Sequence, residues 1–145
     1  MRILCVCLGN ICRSPTAEAV LRQQAGPGIE IDSAGMGHWH VGQPPHGPAI
    51  KAAASRGYDM SGLRGRQFTV QDFLDFDLIL AMDRQNIADI EALRPPGNAT
   101  PVRLMLDFAP GQDRTEVPDP YYTGDFELAL DLIEVAASGV LGSVE

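Results

Sequence analysis

The sequence predicts one α/β domain with three layers: a four-stranded parallel sheet with helices packed on its faces. Three observations lead there. Short apolar runs alternate with helix-like segments along the whole chain. A strand–helix–strand order implies right-handed crossovers and a parallel sheet covered on both sides. The chain has 145 residues, a length that suits one hydrophobic core.

The elements follow in order. "RILCVCL" is a buried strand candidate, a short apolar run rich in branched residues and cysteine. "SPTAEAVLRQQA" reads as a helix, with Ser14 as its cap and Pro15 at its first position. "IEIDSA" alternates like a second strand, and "PAIKAAASRG" is a second helix stopped by Gly57. "TVQDFLDF" reads as a short helix, "DLILAM" as a third strand, and "RQNIADIEAL" as a helix ended by Pro95 and Pro96. "PVRLML" is the fourth strand candidate. "GDFELALDLIEVAASGVL" repeats its apolar positions at helical spacing and closes the fold. Phe73, Phe76 and Phe126 read as core. No internal repeat is visible, and residues 1–145 read as one domain.

Composition narrows the function. The formal net charge is −8, which argues against a nucleic-acid binder or an anionic-membrane binder. It leaves room for a small anionic ligand held by a local cluster of donors. No apolar run approaches the roughly 20 residues that span a bilayer. "MRILCVCL" is too short for a signal peptide, so it reads as the first strand of a cytoplasmic protein. The three cysteines, Cys5, Cys7 and Cys12, crowd the start of the chain and make a poor disulfide framework. In a reducing compartment such crowding points to catalysis, redox chemistry or metal binding. A four-ligand zinc site is hard to assemble, because His38, His40 and His46 all fall in one loop rich in glycine and proline. "HWH" therefore reads as a polar loop rim, and "DFLDFD" lacks the glycine and spacing of a calcium loop. Arg64 and Arg66 read as a solvated surface, with attraction of an anionic peptide at the site mouth as the alternative.

The informative junction is Cys7-Leu8-Gly9-Asn10-Ile11-Cys12-Arg13-Ser14, between the first strand and the first helix. Parallel sheets bind ligands at the carboxyl ends of their strands, where this loop lies. Gly9 adopts positive φ without cost, and Asn10 tolerates it. Successive backbone N–H groups then converge into a nest, and the helix start adds its positive dipole end. Arg13 adds a planar fork for two oxygens of one oxyanion. These donors suit phosphate. A thiol in that field becomes a thiolate, so Cys7 would be a nucleophile aimed at phosphorus, with Ser14 donating to the sulfur. The competing reading is a packing turn with incidental cysteines. C-x5-R alone is weak, whereas C-x-G-N-x-C-R-S between a strand and a helix is specific. Neither G-x-x-x-x-G-K-[ST] nor G-x-G-x-x-G occurs.

Cleavage of a phosphate ester calls for an acid at the leaving oxygen. In "EVPDPYYTGDF", Asp119 lies between Pro118 and Pro120 in stiff backbone, and Tyr121 and Tyr122 follow. On its own the Asp-Pro pair also fits a plain turn before the last helix.

"VCLGNICRSP" near the start and "DPYY" near the end together resemble the low-molecular-weight protein tyrosine phosphatases. "DSAG", "WHVGQPP" and "FDLILAMDRQN" extend the resemblance over essentially the whole chain in order. It implies a four-stranded parallel sheet flanked by helices, with a phosphate-binding loop between strand 1 and helix 1. It implies Cys7 as nucleophile, Arg13 as phosphate and transition-state binder, and Asp119 as acid and then base. Gly9, Asn10 and Cys12 belong to the loop that wraps the phosphate. Asn10 and Ser33 match the residues that hold its shape, and Ser14 matches the donor to sulfur. Leu8, Ile11, Trp39, Tyr121 and Tyr122 would line the slot for the aryl ring. No metal or cofactor is implied. The implied partners are a phosphotyrosine-containing protein and a phosphate-like oxyanion, with no nucleic acid and no membrane, and the default state is a monomer.

Cys12 matches a loop cysteine that pairs with the nucleophile under oxidation in relatives, against which stands a plain packing role. Cys5 reads as core. The chain has Leu63 where many eukaryotic members carry a histidine. Arsenate reductases on this scaffold need further cysteines downstream, and none follows Cys12. Protein arginine phosphatases share the scaffold but typically carry threonine at the place of Ile11. A phosphate-binding adaptor without turnover is the reading from another class.

Overall fold

A computed structural model describes residues 1–144. Four strands, β1 (Arg2–Cys7), β2 (Glu30–Gly35), β3 (Leu78–Ala81) and β4 (Val102–Leu104), form one sheet in the order β2-β1-β3-β4. Every pairing is parallel. Six helices accompany it: α1 (Arg13–Gln24), α2 (Gly47–Ser55), α3 (Asp72–Asp75), α4 (Arg84–Glu91), α5 (Pro120–Thr123) and α6 (Phe126–Val144). A 3-10 turn spans Met105–Phe108.

The period-two geometry of β1 divides its side chains between two cores. Ile3, Cys5 and Cys7 join the cluster built with α1, α2 and α6. Leu4 and Val6 join Phe68, Phe73, Phe76, Ile79 and Ile90 on the other face. From Ile3 to Cys7 this central strand is therefore apolar at every position, the pattern of a parallel strand covered twice. Cys5 is core, as expected, and burial together with nearby Glu18 pushes its thiol well up. Phe73 and Phe76 are buried, whereas Phe126 packs at the edge of its cluster.

Several boundaries differ from the expectation. α1 starts at Arg13, and Ser14 is not its cap. The Ser14 hydroxyl is buried and engaged elsewhere, and Pro15 stands third, where the helix still needs no N–H partner. The fourth strand ends at Leu104, and Met105 and Leu106 continue as a 3-10 turn packed into the core. A short buried apolar run cannot distinguish the two conformations by pattern alone. The predicted helix at 69–76 is reduced to one turn, Asp72–Asp75. The terminal helix begins at Phe126, because Gly124 takes φ 76° and breaks the chain after α5. Among the described residues, no helix is long and apolar enough to cross a membrane.

α6 lies tight against the 3-10 turn. A Cβ on Gly139 would sit 1.8 Å from the Phe108 carbonyl oxygen, whereas one on Gly142 would meet open space. Gly139→Ala is expected to lower unfolding free energy by about 1–3 kcal/mol. Gly142→Ala should be neutral or raise it by up to about 1 kcal/mol. Urea denaturation of the two variants checks this; equal midpoints would show that the contact yields without cost.

Candidate active site

β1 delivers Cys7 to the carboxyl end of the sheet, and residues 8–12 curl from there into α1. The Cys7 side chain is 3% exposed, at the base of this loop. Its sulfur lies 3.0 Å from Ser14 Oγ, and the Asn10 backbone N–H donates to it at 3.3 Å. Asn10 carries the turn: its φ is 56°, and among the described residues it is the one non-glycine at positive φ. Gly9, expected to share that role, does not take positive φ. A Cβ there would stand 3.3 Å from the His40 ring, a tight contact that a small shift of the ring relieves. Gly35 at the end of β2 has a tighter constraint. A Cβ would approach the Asn10 N and Gly9 C atoms to 2.9 Å.

The Asn10 side chain is buried and fully bonded. Its Nδ2 donates to Ser14 Oγ at 2.8 Å and to Ser33 Oγ at 3.0 Å. Its Oδ1 accepts the Arg66 backbone N–H at 3.0 Å. Ser33 in turn donates to Glu18 Oε1 at 2.6 Å, and Glu18 pairs with Arg22 at 2.7 Å. This chain has a direction. The carboxylate accepts, so the Ser33 hydroxyl donates to it and accepts from Asn10. Ser14 Oγ also accepts from Asn10, which leaves its own proton for Cys7, with a longer contact of 3.4 Å to the Ala34 carbonyl. Burial pushes the Glu18 carboxyl up, while Ser33 and Arg22 pull it down. Ser33 was expected here from the resemblance; Glu18 was not, and its sequence signal is an acid among the apolar neighbours Ala17, Ala19, Val20 and Leu21.

Arg13 opens α1 and is 3% exposed. Its NH1 donates to Asp83 at 2.7 Å and to the Val117 carbonyl at 3.0 Å, and its NH2 lies 3.4 Å from Asp119 Oδ2. Its Nε is buried and, among the described residues, has no partner. Burial works against its charge, yet Cys7, Asp83 and Asp119 outweigh that and hold the guanidinium more basic than usual. Asp83 was not anticipated. It caps α4, accepting from the Asn86 N–H at 2.8 Å while Asn86 Oδ1 receives the Asp83 N–H at 3.2 Å. A capping aspartate at the end of β3 was the available signal.

Asp119 begins α5, an unpredicted helical turn. Its Oδ1 accepts the Tyr121 N–H at 3.1 Å, with Pro120 at the first helical position. The turn carries Tyr121 and Tyr122 to the mouth of a cavity of about 200 Å³. Leu8, Ile11, Trp39, Tyr121 and Tyr122, all expected as walls, line it with Gly9 and Asp119. His40 lines it too and was missed; its Nδ1 is 2.8 Å from Gln43 Oε1.

Cys12 is buried at the start of α1, and burial first, then Cys7 and Asp119, push its thiol up to about 12. Cys5, Cys7 and Cys12 are all free. Leu63 packs against the core cluster. Arg66 is not the solvated residue expected: its side chain is held between Asp32 and Asp72 at 3.1 and 3.0 Å, and its backbone N–H reaches Asn10. Arg64 is exposed and donates to the Ser61 and Leu63 carbonyls.

Asn10→Ala removes three side-chain hydrogen bonds and places a β-carbon residue at positive φ without compensation. Activity on an aryl phosphate, measured as kcat/KM, is expected to fall about a hundredfold. A near-native value would mean that the loop keeps its shape without this amide.

The description "Low molecular weight phosphotyrosine protein phosphatase" matches residues 2–145. The low molecular weight protein-tyrosine-phosphatase YfkJ of Bacillus subtilis is 41% identical over 148 residues, covering 99% of this chain and 95% of the relative. The low molecular weight protein-tyrosine-phosphatase PtpA of Staphylococcus aureus is 39% identical over 132 residues, covering 88% and 83%. The crystal structure of YfkJ superposes with a TM-score of 0.95, covering 99% of this chain and 94% of that one. A Drosophila arginine phosphatase superposes at 0.93 with 30% identity, covering 100% and 98%. Sequence and fold agree, and the chain belongs to the low molecular weight phosphotyrosine protein phosphatase family, whose members are cysteine-dependent hydrolases.

Proposed function

We propose that this enzyme hydrolyses phosphotyrosine in proteins through a phosphocysteine formed on Cys7. The observation that carries the reading is the sulfur at the base of the loop, held by Ser14 and the Asn10 N–H beside a buried Arg13 whose Nε has no partner among the described residues. An unpartnered N–H buried in protein is costly unless a ligand uses it. An oxyanion in the cradle supplies that acceptor.

In the first step the Cys7 thiolate attacks phosphorus, and the bond from phosphorus to the tyrosyl oxygen breaks. Asp119 gives its proton to that oxygen. In the second step water attacks phosphorus, Asp119 takes the water's proton, and the sulfur–phosphorus bond breaks to release phosphate. Arg13 and the loop N–H groups bear the charge on the equatorial oxygens in both steps. Asp83 and the Val117 carbonyl fix the guanidinium plane by holding NH1. The contributing residues come from one chain, and the reaction asks for no second copy. Its three free thiols fit a reducing cytoplasm.

The aromatic and aliphatic walls favour an aryl ester. Cys7 lies deep, so a phosphate must be carried down on a long, flat group, and Leu8, Ile11, Trp39, Tyr121 and Tyr122 offer that slot apolar contact. Ile11 offers a guanidinium no polar partner.

Cys7→Ser should abolish turnover of p-nitrophenyl phosphate and of a phosphotyrosine peptide, with a chelator making no difference to the wild type. Asp119→Asn should lower kcat on the phosphotyrosine peptide by about 10²–10³. The loss on p-nitrophenyl phosphate should be smaller, since that leaving group departs without a proton. A Cys7→Ser enzyme that still turns over, or a wild type that prefers phosphoarginine to phosphotyrosine, would defeat this assignment.

A further inference from the structure

The apolar surface does not stop at the slot. A second groove, of about 410 Å³, shares Leu8 and Trp39 with it and is completed by Met36, Gly37, His38, Asp89, Ala92 and Leu93. Its floor is bonded to the phosphate loop. The Met36 N–H donates to the Cys7 carbonyl at 3.0 Å, and the Gly37 N–H donates to the Leu8 carbonyl at 2.8 Å. Trp39, the common wall, lies over Gly37. A Cβ on Gly37 would lie 1.8 Å from its ring, so the indole rests directly on that backbone, and the His38 ring stacks on it at 5.8 Å. Slot and groove are thus one preorganised surface rather than two loops that happen to adjoin.

The exposure pattern is uneven in the same place. Trp39 is 59% exposed, Leu93 42% and Tyr122 74%, and Tyr121 is exposed beside them. These large apolar side chains gather round two adjoining cavities. Gathered exposure marks a contact surface, whereas single exposed apolar residues are ordinary. Asp89 is the one carboxylate in the groove lining, and Gln85 Nε2 donates to it at 3.0 Å. An acidic side chain entering here would meet that charge, while an aliphatic one would meet Leu8, Met36, Trp39 and Leu93.

We propose that this groove is a specificity site that receives an apolar side chain flanking the phosphotyrosine of a protein substrate. The proposal rests on the phosphotyrosine reading above. With the phosphorylated ring in the slot, the flanking residue is already tethered next to the groove, so its burial adds to transition-state binding without a second association step.

The test uses synthetic phosphotyrosine peptides in which each of the two positions on either side of the phosphotyrosine is, in turn, leucine, aspartate or lysine. Wild type, Leu93→Asp and Ala92→Asp are compared, with p-nitrophenyl phosphate as the small substrate. At one position or more, wild type should favour leucine over aspartate in kcat/KM by about tenfold. Either substitution should shrink that preference to about twofold or less while p-nitrophenyl phosphate turnover stays unchanged. A flat peptide series with normal p-nitrophenyl phosphate turnover overturns the groove alone. So does a leucine preference that both variants retain, or lysine outranking leucine at the responsive position, which would make Asp89 a cation site. Absence of wild-type turnover on p-nitrophenyl phosphate removes the phosphatase reading and this one with it.

Discussion

Asn10 holds a left-handed backbone at φ 56°, a conformation that costs a non-glycine residue on the order of 1–2 kcal/mol. The side chain offsets this. Three hydrogen bonds tie it to α1, to β2 and to the backbone of residue 66, each contributing roughly 1 kcal/mol when buried and fully made. The turn in turn points the Asn10 N–H at the Cys7 sulfur. One residue thus joins three parts of the fold and sets the curvature of the anion cradle. The cradle is preorganised by buried protein contacts, so a bound oxyanion need not order it, and that is the condition under which fixed dipoles favour a transition state.

Glu18 anchors the far end of that arrangement. Ionised, it accepts hydrogen bonds only, so it dictates which way the Ser33, Asn10 and Ser14 groups donate. Had that position been apolar, the Ser33 hydroxyl would be free to rotate. The buried acid is tolerated because Ser33 and Arg22 bond it. A protein of net charge −8 can still hold an anion, because the loop N–H groups and Arg13 act at contact distance, whereas distant surface charges are screened.

Arg13 shows the same economy of parts. Asp83 caps α4 and orients the guanidinium, so the helix boundary and the anion site share one carboxylate. Asp119 caps α5 and reaches the other side of the same guanidinium. The tyrosines rise from that turn, so Asp119 and two walls of the slot are placed by common backbone. Trp39, another wall of the slot, rests directly on the Gly37 backbone.

Much of this was legible in the residue order. β1, the loop and α1 are consecutive, and their strand period, turn residues and helix pattern are local signals. Cys7, Arg13 and the aromatic walls follow from motif and position, since a parallel sheet places its loops at the strand ends. What sequence could not decide depends on separation along the chain. Asp83 and Asp119 meet Arg13 from residues 70 and 106 positions away. Glu18 and Gly35 matter because α1 and β2 pack beside the loop, and His40 because its ring lies over Gly9. Whether Gly9 or Asn10 would turn left-handed, and whether "RLML" would stay a strand, were likewise settled by packing. Local order determined the fold class, the thiol and its loop. Tertiary structure alone decided which carboxylates hold the arginine and which side chains hold the turn, because hydrogen bonds and ion pairs act through space and leave no period in the sequence.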